Sequence, residues 1–216
     1  MKCLELFSGT QSIGKVLKEE NYEVISVDIE DYKGQFIPTH KCSILDFDYK
    51  QYPVGYFDCI WASPPCRYYS KLQEIFHQKR LTKDGLELLR VGADELVSKT
   101  LEIIDYFKPT LWFMENPQSG CLKKRDVVKS LPFYDVDYCR YANWGYRKRT
   151  RIFTNKKDFD PKLCNKKCGS MIGNKHKLIF CGDNSERTQK GLSSTLLRYR
   201  IPPNLISELI LSSSQV

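Results

Sequence analysis

The sequence predicts an α/β fold: a mostly parallel sheet with helices on both faces and a small basic insert. Three observations predict it. Short apolar runs alternate with helical periodicity through the first 120 residues. Two of those runs, Cys59-Ile60-Trp61-Ala62 and Leu111-Trp112-Phe113-Met114, are apolar at every position, as strands buried between two helix layers are. The charge also separates along the chain. Lys123–Arg200 holds 20 basic and 7 acidic residues, a net of +13, and the remainder holds 14 basic and 19 acidic.

In chain order, Lys2–Phe7 reads as a strand, Gln11–Glu20 as a helix, Glu23–Asp28 and Phe57–Ser63 as strands, and Leu86–Phe107 as a long helix. That helix carries Leu89, Ala93, Leu96, Val97, Leu101 and Ile104 on one face, most economically a core face. Thr110–Glu115 is the next strand and Ser119–Leu131 reads as a helix. Tyr134–Tyr138 and Arg149–Thr154 read as strands that pair at the far edge of the sheet. Periodicity weakens beyond Asn155, and Asn204–Leu211 reads as a closing helix. This organisation gives an α/β domain over 1–155, a basic insert over 156–195 and a C-terminal segment, 196–216, whose helix returns to the first domain.

With 216 residues the chain has room for one full core and a small appendage. No apolar run approaches the roughly 18 residues of a membrane span, and the acidic Glu5 stands where a signal peptide needs its apolar stretch. Nine cysteines are an odd count and too few for a disulfide scaffold, so reduced thiols in a cytoplasmic compartment are expected. The basic segment interleaves Tyr138, Tyr141, Trp144, Tyr146 and Phe153 with its cations. Cations displace phosphate counterions and rings stack on bases, which favours a nucleic acid over a merely solvated face.

In an open α/β sheet the ligand lies beyond the carboxyl ends of the strands, and four such ends carry chemistry. Phe7-Ser8-Gly9-Thr10-Gln11 turns from the first strand into the first helix, where a glycine lets a cofactor approach the backbone. Asp28 ends the second strand, a position at which a carboxylate accepts ribose hydroxyls, although such an Asp is more often a turn former. Ser63-Pro64-Pro65-Cys66 is sharper. Two prolines fix two φ angles and hold the thiol that follows in a defined direction. A thiol so placed is a candidate nucleophile; the competing reading is a small buried hydrophobe. Glu115-Asn116-Pro117 brings a carboxyl group to the same edge.

These residues resemble the DNA (cytosine-5) methyltransferases, in particular compact phage and large-virus members with a minimal second domain. The resemblance rests on Leu6-Phe7-Ser8-Gly9, Pro64-Pro65-Cys66, Glu115-Asn116 and Arg149-Thr150-Arg151, in that order over most of 1–155. It implies a Rossmann-like fold that binds S-adenosylmethionine, and a monomer acting on double-stranded DNA in the cytoplasm, or in the host cytoplasm or nucleus for a virus. Cofactor contacts are implied at Phe7, Ser8, Gly9, Thr10 and Gln11, at Asp28 and Ile29, at Ser43 and Ile44, and at Ser63 and Pro65. Cys66 would attack carbon-6 of a flipped cytosine, Glu115 would hold N3 and the exocyclic amine, and Arg149 and Arg151 would serve the thiol or the base carbonyl. Ser70, Lys71, Arg80, Arg147 and Lys148 are the implied nucleic-acid contacts. Three positions depart from the family pattern: Gln11 stands for a second glycine, Ser43 for an Asp, and Arg147 for a Gln. Gln11 and Ser43 keep open a nucleic-acid-binding relative of impaired activity, and the branch of the family that acts on tRNA keeps open a tRNA cytosine-5 methyltransferase.

Within the insert, Cys164-x3-Cys168-x7-His176-x4-Cys181 has the ligand count and softness of a structural zinc site; independent thiols and a surface histidine are the alternative. His40 and His77 read as surface residues.

Overall fold

The apolar runs become neighbouring strands. The computed structural model describes residues 1–70, 81–178 and 194–213. The elements are β1 (Lys2–Leu6), α1 (Ser12–Glu19), β2 (Glu23–Asp28), β3 (His40–Lys41), β4 (Cys59–Ala62), α2 (Lys83–Phe107), β5 (Leu111–Pro117), β6 (Phe133–Asp137) and β7 (Arg149–Thr154), then the short strands β8 (Met171–Ile172) and β9 (Lys175–His176), and helices α3 (Ser194–Tyr199) and α4 (Pro203–Ile210). Seven strands form one sheet in the order β3-β2-β1-β4-β5-β7-β6. The first five are parallel, while β7 runs antiparallel between β5 and β6.

The pleat explains why the central strands are apolar throughout. Leu4, Leu6, Ile60, Ala62 and Met114 point to one face and pack with Val97, Ile104 and Phe107 of α2. Their neighbours Cys3, Cys59, Trp61 and Phe113 point to the other, against Ile13 and Leu17 of α1 and Leu205, Ile206 and Leu209 of α4. Each such large side chain contributes roughly 1.5–3 kcal/mol by leaving water. The register also assigns faces at the far edge. Glu115 lies opposite Ile152, so Lys148 and Thr150 share the Glu115 face, whereas Arg149 and Arg151 point the other way.

Helix α2 starts at Lys83, ahead of the expected Leu86, because the Thr82 side chain accepts the Gly85 N–H at 3.1 Å and caps the first turn. The helix expected over Ser119–Leu131 is not formed. A 3-10 turn, Leu122–Lys124, takes its place, and Arg125 is extended with its guanidinium on Asp94 (2.8 and 2.6 Å) and Glu87 (2.5 Å). Tertiary ion pairing overrides local propensity there. Strand β3 had no signature, being two residues long. In it His40 Nε2 lies 2.8 Å from Tyr52 Oη and the ring packs against Phe47, so this histidine is not a bare surface residue; His77 lies outside the described residues. No helix among the described residues is long and apolar enough to cross a membrane.

The chain winds outward through β1, β2 and β3, then returns to the opposite side of β1 with β4. That reversal leaves a crevice above the carboxyl ends of β1 and β4, the usual ligand position in such sheets.

Candidate active site

The turn after β1 is strained and heavily tied. Phe7, Gly9 and Gln11 have φ of 56°, 50° and 53°. Beneath them Glu5, 3% exposed, accepts the N–H groups of Ile13 (3.1 Å) and Gly14 (3.0 Å) and so satisfies the first turn of α1. Burial nevertheless pushes its carboxyl up from an ordinary 4.5 to about 8, against the pull of those two N–H groups. The folded protein therefore holds a proton that the unfolded chain releases near 4.5. Glu5 supports the fold fully below about pH 4.5, and that support is lost as pH rises towards about 8. Denaturant unfolding of Glu5→Gln beside the parent should show a flatter pH profile across this window; parallel profiles would contradict the assignment.

Gln11 does adopt the left-handed conformation that glycine takes cheaply, and its Nε2 donates to Ile37 O at 2.8 Å. Left-handed backbone costs a side-chain-bearing residue about 1–2 kcal/mol, partly offset here by an exposed hydrogen bond. Gln11→Gly is expected to raise stability by up to about 1 kcal/mol, read as a shift in the urea midpoint. A loss of stability would show that the Ile37 bond dominates. Thr10 Oγ1 lies 3.0 Å from Ser12 Oγ, which itself accepts the Ile201 N–H, so these hydroxyls serve the attachment of α4. The buried Ser8 Oγ has no hydrogen-bond partner among the described residues.

Asp28 joins the ends of β1 and β2: its carboxylate accepts Gly9 N–H at 2.8 Å and Glu30 N–H at 2.9 Å. Ile29 beside it is 59% exposed. Ser43 caps its own turn through Leu45 N–H at 3.2 Å, and the Ile44 side chain is buried in the core, leaving only its backbone for a ligand. Across the crevice, Ser63 Oγ accepts the Trp61 indole N–H at 3.2 Å, Pro64 is buried and Pro65 exposed. Cys66 is half-buried.

Two ties set the thiol turn against the end of β5. Asn116 Nδ2 donates to Pro64 O at 3.1 Å, and Cys121 N–H donates to Tyr69 O at 2.8 Å. Tyr69 donates in turn to Asp94 at 2.8 Å, the carboxylate that also holds Arg125. The Cys66 loop is thus clamped to α2. A residue with no motif of its own stands beside the turn after β1. Tyr199 at the end of α3 would have its Cβ 3.9 Å from a Cβ placed on Gly9, and its ring meets Tyr32 edge-on at 6.2 Å. Burial first, then nearby Cys66 and Asp28, pushes its phenol up. Its signal was an aromatic set between two cations, Arg198 and Arg200.

Glu115 is 6% exposed, and Lys148 Nζ (3.1 Å) and Tyr138 Oη (3.2 Å) both meet its Oε1. Lys148, expected on nucleic acid, is 7% exposed and also donates to Arg198 O at 3.3 Å, so it is an internal residue. Arg149 and Arg151 instead make two-pronged ion pairs with the residues opposite them, Asp137 (3.0 and 2.7 Å) and Asp135 (2.8 and 2.9 Å). The pleat puts these pairs on the face away from Glu115 and leaves Lys148 as its cation. Arg147 is exposed and Ser70 half-buried; Lys71 and Arg80 lie outside the described residues.

In the insert, Cys164, Cys168 and His176 converge as the spacing suggested, but the fourth member is Cys139, just past β6; the four ligand atoms lie within 4.8 Å of one another. Cys181 lies outside the described residues. Cys139 was missed because it precedes its partners by 25 residues and stands outside the spacing motif.

A doubly wound sheet with an antiparallel β7 and a crevice above β1 and β4 defines a Rossmann-like methyltransferase domain. The chain is 38% identical over 220 residues to the Probable DNA (cytosine-5)-methyltransferase of Frog virus 3 (isolate Goorha), covering 97% of this chain and 99% of the other. It therefore belongs to the DNA (cytosine-5)-methyltransferase family. No protein-family model matches it. Solved structures are more distant: the Entamoeba histolytica methyltransferase EhMeth at 15% identity and a TM-score of 0.48, and the S. pombe Dnmt2 methyltransferase at 13% and 0.44. The matches cover 76% of this chain and about half of each solved chain (55% and 51%).

Proposed function

We propose that the protein transfers a methyl group from S-adenosylmethionine to carbon-5 of a cytosine in double-stranded DNA, with Cys66 as nucleophile and Glu115 as the acid that holds the ring. The observation that carries this reading is the Asn116 Nδ2 to Pro64 O bond at 3.1 Å, which locks the Pro-Pro-Cys turn to the strand end bearing Glu115.

Carbon-5 of cytosine is too weak a nucleophile to take a methyl group unaided. The Cys66 thiolate adds to carbon-6, the ring double bond shifts its electron pair towards carbon-5, and the ring becomes an enamine. A proton held between Glu115 Oε2 and N3 neutralises the negative charge that the addition develops on the ring, and the exocyclic amine donates to the same carboxyl group, whose Oε1 is held by Lys148 and Tyr138. Loss of the carbon-5 proton after transfer re-forms the double bond and expels the thiolate. The base must leave the duplex to reach Cys66.

S-adenosylmethionine supplies an electrophilic methyl group on a sulfonium. The crevice fits it: Ser8 offers a buried hydroxyl without a partner among the described residues, Gly9 brings backbone close, Asp28 retains acceptor capacity for ribose, and Ile29 presents exposed apolar surface. Arg147 and Ser70 are the described candidates for DNA contact. Incubation with labelled S-adenosylmethionine should move label to duplex DNA. Folded protein that labels neither DNA nor tRNA at saturating cofactor would overturn the reading, and label in tRNA alone would replace its substrate.

A further inference from the structure

We propose that Cys139, Cys164, Cys168 and His176 bind one zinc ion that fastens the basic insert to the end of β6. A tetrahedral ion at about 2.3 Å from sulfur and about 2.0–2.1 Å from nitrogen sets ligand separations of about 3.8 Å for sulfur pairs and about 3.5 Å for a sulfur–nitrogen pair. The Cys164 and Cys168 sulfurs are 3.7 Å apart, and His176 Nε2 lies 3.5 and 3.4 Å from them. Cys139 completes the set from a separate segment, with all four ligand atoms within 4.8 Å.

The surroundings suit a metal-thiolate centre. Lys166, left-handed at φ 65°, donates its N–H to Cys164 Sγ at 3.4 Å, a contact that favours the thiolate. Asp137 accepts the Cys164 N–H at 2.7 Å while paired with Arg149, so the ligand loop is hung on the β6–β7 hairpin. Three thiols lose protons to form the centre, leaving one net negative charge, and Arg147, Lys166, Lys167, Lys175 and Lys177 are exposed on the segments that carry the ligands or flank them. Among the described residues the insert is tied to the rest of the chain by hydrogen bonds, Leu178 N–H to Gly145 O at 2.8 Å and Asp137 N–H to Lys162 O at 3.1 Å among them. Its buried apolar cluster is small, Cys164 and Cys168 against Cys139 with Met171 packed on them, and its strands are two residues long. A segment this polar orders when a metal supplies the energy, and three sulfurs with one imidazole select zinc over magnesium or calcium. The ion would thereby set the position of the cations on the segments that carry its ligands.

The test is metal content of the full chain, purified with a reductant and dialysed against metal-free buffer. One zinc per chain is expected, retained by Cys181→Ser and lost in Cys139→Ser. Cobalt added to chelator-treated parent protein should give the intense visible bands of a tetrahedral thiolate site, a readout that needs no variant to fold. Retention of zinc by Cys139→Ser, its loss in Cys181→Ser, or a parent protein that takes up neither metal would overturn the proposal.

Discussion

Lys148→Met should lower folding stability by about 3–5 kcal/mol, and adding Glu115→Gln should return most of that loss. Both side chains are nearly buried, 7% and 8% exposed, and their charged atoms are 3.1 Å apart. Removing the ammonium strands a carboxylate in a low-dielectric site, where the penalty of the remaining charge exceeds the worth of the pair itself. Removing both charges leaves polar groups that Tyr138 can still meet at 3.2 Å. Urea titrations of the parent, the two single variants and the double variant give the coupling directly. Equal stability in the parent and Lys148→Met would mean that Glu115 does not depend on Lys148. Arg151→Met should cost less, because its partner Asp135 is 22% exposed and can be rehydrated. The same comparison separates the strand faces: methyl transfer should fall with Lys148→Met through misplacement of Glu115, and much less with Arg151→Met.

Cys66→Ser should reduce methyl transfer by on the order of 10³-fold or more while leaving the unfolding midpoint nearly unchanged. A thiol ionises near pH 8.5, so some thiolate exists at neutral pH, whereas a hydroxyl supplies essentially no alkoxide there. The loop around Cys66 is held by Asn116 to Pro64 O and by Tyr69 to Asp94, ties that the substitution leaves in place. Steady-state transfer to duplex DNA and a parallel thermal melt check this. Full activity in Cys66→Ser would show that Cys66 is not the nucleophile.

The parts of this molecule legible in sequence are those set by local pattern. Short apolar runs, buried on both faces, made β1, β4 and β5 readable, and the two prolines before Cys66 announced a directed thiol. The helix misread over Ser119–Leu131 failed because Arg125 answers to Asp94 and Glu87, residues more than 30 positions away. The partners of Arg149 and Arg151 were not legible for a subtler reason. Residues two apart do share a face, but only the pairing of Glu115 with Ile152 and of Asn116 with Arg151 shows that this face is not the one bearing Glu115, beside which Lys148 is the cation. Tyr199 and Cys139 were missed for a related cause: each meets partners, Gly9 and Cys164 among them, that only topology brings close.

The central claim is a covalent bond between Cys66 and carbon-6 of the target base, and trapping it is the most direct measurement. Duplex DNA carrying 5-fluorocytosine gives up no proton at carbon-5, so after methyl transfer the thiolate cannot be expelled and the adduct persists. A protein–DNA species is expected by intact mass, formed with S-adenosylmethionine, mapping to the peptide containing Cys66 and absent from Cys66→Ser. Methyl transfer to ordinary duplex DNA without any such adduct, or an adduct on another cysteine, would contradict it.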